Sequence, residues 1–434
     1  MSAERHDDRE MDKSWITAAK NKTGKSGLIR QLFLRSYYHI SSYPIIRIMA
    51  HGKLKVKKNR IAFISDIDYS DNCRVLFEYM IQKDYWKEYE FIWIVRDRKK
   101  YKNKHLPSTR FVGRNAFFTP FEGIRAHYFV WTSQIVFFSH SVKWAPKKNP
   151  LQCYINLWHG CGYKDTKGGR NEIQFDWLLV PSDLFRNTKA KFFGCEMEKI
   201  LPVGYPRYDL MLKKENQKQQ FFAEEKIVHK AEKMILWMPT FRKTDQIKIE
   251  DDTIKGETGL PIYYSMESLN HLDQFCAEKK ILLFIKKHPF QAEYQMKEKA
   301  YQNLCFLDDD WLEKRNLQLF EMMAEADAMI SDYSSASVDY LLLNRPIAYT
   351  LDDYEEYKKS RGFVFADPLA YMPGDHLYTE DDFCRFLTEL AAGQDSFANQ
   401  RKEICRQFHN ETEYGFCERI LDSFQKLGVL KTGK

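Results

Sequence analysis

Two histidines stand beside glycine or proline at points where an apolar run stops. His159 lies in Asn156-Leu157-Trp158-His159-Gly160-Cys161-Gly162-Tyr163-Lys164, where the glycines let backbone approach a ligand closely. An imidazole so placed can take a proton from an attacking hydroxyl near neutral pH. The competing reading is a core histidine bonded to backbone, with Trp158 as packing. His288 follows two cations in Lys286-Lys287-His288-Pro289, and Pro289 ends the run rigidly.

Other blocks suit anions. Met238-Pro239-Thr240-Phe241-Arg242-Lys243 offers a hydroxyl and two cations, a natural phosphate seat unless it is a solvated basic loop. In Val203-Gly204-Tyr205-Pro206-Arg207-Tyr208-Asp209, Arg207 either grips an anionic ligand or pairs with Asp209 to fix the turn. The strongest block is Ile330-Ser331-Asp332-Tyr333-Ser334-Ser335-Ala336-Ser337-Val338-Asp339, a strand turning through hydroxyls into a helix. Ser334 and Ser335, with the amides of a first helical turn, could cradle a pyrophosphate. Simple N-capping is the alternative, although a cap needs only one hydroxyl.

Something must bring these residues together. Short runs rich in Ile, Val and Phe predict strands at 61–67, 91–96, 134–140, 154–159, 177–181 and 200–204, then at 234–239, 281–288, 304–308, 328–331 and 346–350. Helix-length stretches separate them, the pattern of an α/β chain with two doubly wound, Rossmann-like domains. His140, His159, Ser182, Arg207, Thr240 with Arg242, His288 and Asp332 all fall at or just past a carboxyl end, the edge where open α/β sheets bind ligands. Two such domains facing each other would form one cleft. The polar stretch 210–232 reads as an exposed helix or connection, and 245–258 as a charged insertion.

Taken in order, the blocks resemble the CDP-glycerol glycerophosphotransferase family. The resemblance rests on Trp158-His159-Gly160, Gly204-Tyr205-Pro206-Arg207 with Asp209, Pro239-Thr240 with Arg242, His288-Pro289, Ser331-Asp332-Tyr333-Ser334-Ser335 with Asp339, Arg345-Pro346, and the run from Asp352 to Phe363. It covers roughly residues 60 to 410. The chain departs from the family at Cys161-Gly162-Tyr163-Lys164, where Thr-Pro-Leu-Lys is usual, and this bears on the acceptor more than on the reaction type.

The resemblance implies a GT-B fold and transfer of a polyol phosphate from CDP-glycerol to a hydroxyl of an undecaprenyl-diphosphate-linked acceptor, with release of CMP. It implies His159 as base and His288 as second essential histidine. Arg207, Thr240, Arg242, Lys243, Ser331, Asp332, Ser334, Ser335 and Asp339 would then serve the donor's phosphates. The domains would be 60–209 for the acceptor and 210–434 for the CDP-polyol donor. No tightly bound cofactor and no protein-held metal is expected; Mg2+ bridging the pyrophosphate is the one metal role left open. CDP-ribitol is the close rival donor. A GT-B transferase acting on a nucleotide sugar is the rival within enzymes, because fold alone cannot separate the two.

Charge adds a location. Between Lys13 and Arg60 lie twelve Lys or Arg and no Asp or Glu, so the net +7 of the 434 residues leaves −5 for the rest. This segment also carries Leu32-Phe33-Leu34, Tyr37-Tyr38 and Ile45-Ile46, too apolar for a solvated arm. Residues 1–59 are therefore expected to form basic amphipathic helices on an anionic membrane surface, with the enzyme peripheral on the cytoplasmic face. Packing of these helices on the first domain, or nucleic-acid binding through Lys53, Lys55, Lys57, Lys58 and Arg60, are the alternatives. Nine scattered cysteines, never spaced as C-x-x-C, argue against a disulfide framework or zinc site and for a reducing compartment. No cleavable signal peptide is expected, and no stretch supplies the roughly 20 apolar residues of a spanning helix. The sequence does not speak to oligomeric state.

Overall fold

The computed structural model describes residues 54–114, 120–140, 142, 148–165, 173–213, 231–239, 257–286 and 301–431. Its first sheet holds β1 (Lys57–Ile64), β2 (Glu90–Val95), β3 (Thr109–Gly113), β4 (Ser133–Phe138), β5 (Cys153–Asn156), β6 (Trp177–Leu179) and β7 (Ile200–Leu201). The spatial order is β3-β2-β1-β4-β5-β6-β7, with parallel pairs such as Phe63 opposite Trp93 on one side and Phe137 on the other. Those three rings stack across the strands at 5.4 and 5.3 Å. Helices α1 (Asp71–Gln82), α2 (Pro120–Thr132), α3 (Arg186–Phe193) and α4 (Tyr208–Leu212) connect or follow these strands.

The second sheet holds β8 (Lys233–Trp237), β9 (Ile281–Lys286), β10 (Leu304–Leu307), β11 (Ala328–Ser331), β12 (Ile347–Thr350) and β13 (Asp375–Leu377), in the order β10-β9-β8-β11-β12-β13, all parallel. Its helices are α5 (Met266–Glu278), α6 (Asp309–Lys314), α7 (Leu319–Glu325), α8 (Ser335–Tyr340), α9 (Tyr354–Ser360), α10 (Glu380–Ala391), α11 (Ala398–Phe408) and α12 (Phe416–Lys426). Trp237 of β8, Leu283 of β9 and Phe383 of α10 are fully buried in one cluster. In each sheet the chain runs outward for three strands and then returns to the far side of the first. That reversal, between β1 and β4 and again between β8 and β11, is the topological switch point at which such sheets bind ligands.

All eleven expected strands are present, most of them ending one to three residues earlier than expected. The two additional strands, β3 and β13, are short, partly polar edge strands, whose burial imposes less apolar pattern than a central position does. The boundary expected at 59/60 falls inside β1. Arg60, offered above as a phosphate contact, is 3% exposed and bonded to Glu90 at 2.9 Å and to Thr132, so it braces the sheet. Residues 1–53 of the 1–59 segment on which the amphipathic helices were expected, and most of 210–232 and 245–258, lie outside the described residues. Among the described residues no helix is long and apolar enough to cross a membrane.

The chain divides into two compact units: residues 1–156 with 173–177 and 433–434, and residues 157–172 with 178–432. The loop that carries His159 and the segment 178–209 therefore group with the second unit, where the sequence division had placed them in the first.

Candidate functional site

The geometry that follows lies within the second unit. Past the end of β5 the chain enters a tight loop, with Trp158 at φ 53° and Gly160 at φ 135°. A left-handed tryptophan is strained backbone that surrounding contacts must hold in place. At Gly160 a Cβ would stand 2.4 Å from Ser335 Oγ, and at Gly162 one would stand 3.0 Å from Ser335 Cα, so these glycines let the loop press onto the first turn of α8. The far side of the loop is pinned by Val364 N–H donating to the Tyr163 carbonyl at 2.8 Å and by a bridge between Lys164 and Phe363. Two blocks some 200 positions apart thus become neighbours.

Arg207 fixes the loop from below. Its guanidinium donates to the His159 carbonyl at 3.1 Å and to Asp339 Oδ2 at 2.6 Å, and the two side chains are 5% and 1% exposed. Tyr208 donates its hydroxyl to the other oxygen of Asp339 at 2.6 Å. Burial and the neighbouring carboxylate hold that phenol well above its ordinary pKa, so it remains a donor. Arg207 thus pairs with Asp339 and not with Asp209. The Asp209 carboxylate accepts instead from the amides of Gly415, Phe416 and Cys417 at 2.8 to 2.9 Å, capping α12.

In the turn after β11, Ser334 is the N-cap of α8, accepting from Ala336 N–H at 3.3 Å, so capping is what this serine does. Ser335 faces the two glycines. Ser331 and Asp332 are fully buried, and the Ser331 hydroxyl has no hydrogen-bond partner among the described residues. Thr240, Arg242, Lys243 and His288 lie outside the described residues. His140 is exposed at the end of β4, and Ser182 donates to the Gln407 carbonyl at 3.0 Å. The His159 ring is half-buried against Trp158, with centroids 3.9 Å apart. Among the described residues no three His, Cys, Asp or Glu side chains converge as metal ligands. The nine cysteines are all free thiols, and burial pushes Cys161 up, so that thiol is not a ready nucleophile.

Two residues here carry no sequence signal. Tyr208 reads as an ordinary aromatic, and His409 ends a C-terminal helix far along the chain. His409 Nε2 donates to the Val338 carbonyl at 2.9 Å, its ring lies edge-on to Tyr208 at 5.3 Å, and burial pushes its pKa down to about 4. An unfolded imidazole titrates near 6.5. Between those values the unfolded chain binds a proton that the folded chain refuses, so the contribution of His409 is complete above pH 6.5 and is lost as pH falls toward 4. The loss amounts to about 3 kcal/mol. Denaturant unfolding at pH 7.5 and 4.5 should show the wild type losing more stability than His409→Gln; equal losses would refute this.

The sequence profile of the family described as CDP-Glycerol:Poly(glycerophosphate) glycerophosphotransferase matches residues 46–425. The chain belongs to that family. It is 26% identical to the teichoic acid poly(ribitol-phosphate) polymerase of Bacillus spizizenii over 85% of its own length and 56% of that protein. It is also 26% identical to the teichoic acid poly(glycerol phosphate) polymerase of Staphylococcus epidermidis, over 84% of its own length and 51% of the relative. The chain thus spans about half the length of these relatives. A solved structure of the wall teichoic acid polymerase TagF superposes with a TM-score of 0.69 at 21% identity, covering 98% of this chain and 99% of that one. The likeness establishes the fold, a GT-B-like pair of parallel-sheet domains, in agreement with the sequence expectation. In this family member the Trp158-His159-Gly160 loop, the Arg207 turn and the Ser331–Asp339 block come together as a single buried framework beneath one half-exposed imidazole.

Proposed function

We propose that the chain transfers glycerol phosphate from CDP-glycerol to a hydroxyl of a lipid-linked acceptor, releasing CMP, in the synthesis of teichoic acid or a related cell-wall or capsule polymer. The observation that carries this reading is the seating of the His159 loop against the turn that leaves β11 at a switch point, in a chain whose family is defined by that transfer. The acceptor oxygen attacks the β-phosphorus of the donor, its proton passes to His159, the new P–O bond forms and the anhydride bond to the α-phosphate breaks. CMP takes the electron pair. Charge on the breaking pyrophosphate would be met by Arg242, Lys243 and His288, where phosphoryl transfer gains most from its protein.

Ribitol phosphate from CDP-ribitol is the second reading, favoured by the equal identity of the ribitol-phosphate and glycerol-phosphate polymerases to this chain. Mass spectrometry of the product made from each donor on a short lipid-linked acceptor separates the two and also reads chain length. No mass gain with either donor would overturn both.

Residues 1–59 would dock the enzyme on an anionic membrane from the cytoplasmic side, where the acceptor would reside. Their run of cations among apolar residues supports this. The full chain should sediment with anionic vesicles and far less with neutral ones, and a chain starting just before β1 should lose that preference. Equal sedimentation of the two chains would refute the docking.

A further inference from the structure

Helix α3 carries a lysine that no motif marks. Lys189 is 9% exposed, and its ammonium lies 5.2 Å from the ring centroid of Trp158 and 5.2 Å from that of Phe192. Among the described residues it has neither a carboxylate partner nor a hydrogen bond. Lys286, the other lysine buried to this degree among them, pairs with Asp309 at 2.8 Å. Aromatic faces attract a cation, yet they supply no acceptor oxygen for its three N–H groups. The stem of Lys189 is buried while its ammonium keeps access to solvent, so an anionic oxygen can reach it beside the two rings.

The surroundings say where such an oxygen would belong. Trp158 is the ring against which His159 packs, tilted at 40°, and the two contacts place the ammonium no more than about 9 Å from the centre of the imidazole. Lys189 also acts electrostatically on the Cys161 thiol, two residues past His159, as Arg207 does. Arg207 has its own carboxylate in Asp339, whereas Lys189 has none among the described residues. A hydroxyl that gives its proton to His159 sits within hydrogen-bond reach of the ring, and the phosphorus it attacks lies about 3 to 3.5 Å beyond that oxygen. That phosphorus and the ammonium thus both fall within about 9 Å of the imidazole.

We propose that Lys189 binds the phosphoryl group being transferred, its ammonium contacting a β-phosphate oxygen of the CDP-linked donor beside His159. The assignment rests on the transferase reading above. It adds to that reading a cation from the element that buttresses the histidine, with Trp158 holding both groups.

CDP and CMP differ by the β-phosphate alone, so calorimetric titration of the full chain with each isolates the contact. Lys189→Met keeps the apolar stem and removes the charge, and Lys189→Arg keeps the charge. The methionine variant should bind CDP about 10- to 100-fold more weakly than wild type, the scale of one charge-assisted bond, with CMP affinity changed less than about twofold. The arginine variant should retain CDP affinity to within about threefold, since a cation on a stem of similar length remains. If the methionine variant fails to fold, Lys189→Gln serves the same comparison. Unchanged CDP affinity, or equal loss of CDP and CMP, overturns the assignment and leaves the transferase reading standing. A wild-type chain that binds neither CDP nor CDP-glycerol overturns both.

Discussion

Asp339→Ala should cost the second unit about 3 to 5 kcal/mol, the scale for breaking one side of a buried ion pair. The reason is what remains behind. Arg207 is 4% exposed, and its guanidinium would lose the carboxylate it faces at a site with little access for water. Tyr208 would lose its acceptor at the same time. Asp339→Asn keeps the shape and one acceptor oxygen but not the charge, so it should fall between alanine and wild type. Removing both charges, as in Arg207→Met with Asp339→Leu, should recover much of the stability, because well-packed apolar groups often replace a buried pair without loss. That double variant should still be poorly active, since the His159 carbonyl then loses its bond from Arg207. Urea unfolding supplies the energies, and a single alanine variant within about 1 kcal/mol of wild type would contradict the buried-pair account.

The sheets were legible because a parallel strand covered on both faces must be apolar along its length, and runs such as Ile61-Ala62-Phe63-Ile64 or Leu282-Leu283-Phe284-Ile285 have few other uses. β3 and β13 lacked that signal because an edge strand is buried less completely. The blocks of the site were legible too, but their partners were not. Asp209, two residues from Arg207, is the local choice of counter-ion. The pair that forms instead spans 132 positions, because Asp209 is committed to three amides at the start of α12. Spacing cannot show which of two carboxylates the fold delivers. Lys189 was invisible for a related reason: its interest comes from lying beneath Trp158, and packing of that kind leaves no motif.

His159→Ala should lower the rate of CMP release by about 10² or more, the usual worth of a positioned general base, while the chain stays folded. Stability should survive because the imidazole is half-exposed and the loop is fixed through backbone: the His159 carbonyl to Arg207, the Tyr163 carbonyl to Val364, and the bridge from Lys164 to Phe363. The donor KM should change little, since a base acts on the acceptor hydroxyl and gains its effect only as the proton moves. The same variant should lose the acidic limb of the pH–rate profile, which a purely structural histidine would leave in place. His159→Gln distinguishes the roles further, because it preserves hydrogen bonding beside Trp158 but cannot accept the proton; it should be as impaired as alanine. Near-normal CMP release by either purified variant would remove His159 from the chemistry and leave its loop as scaffold for another base.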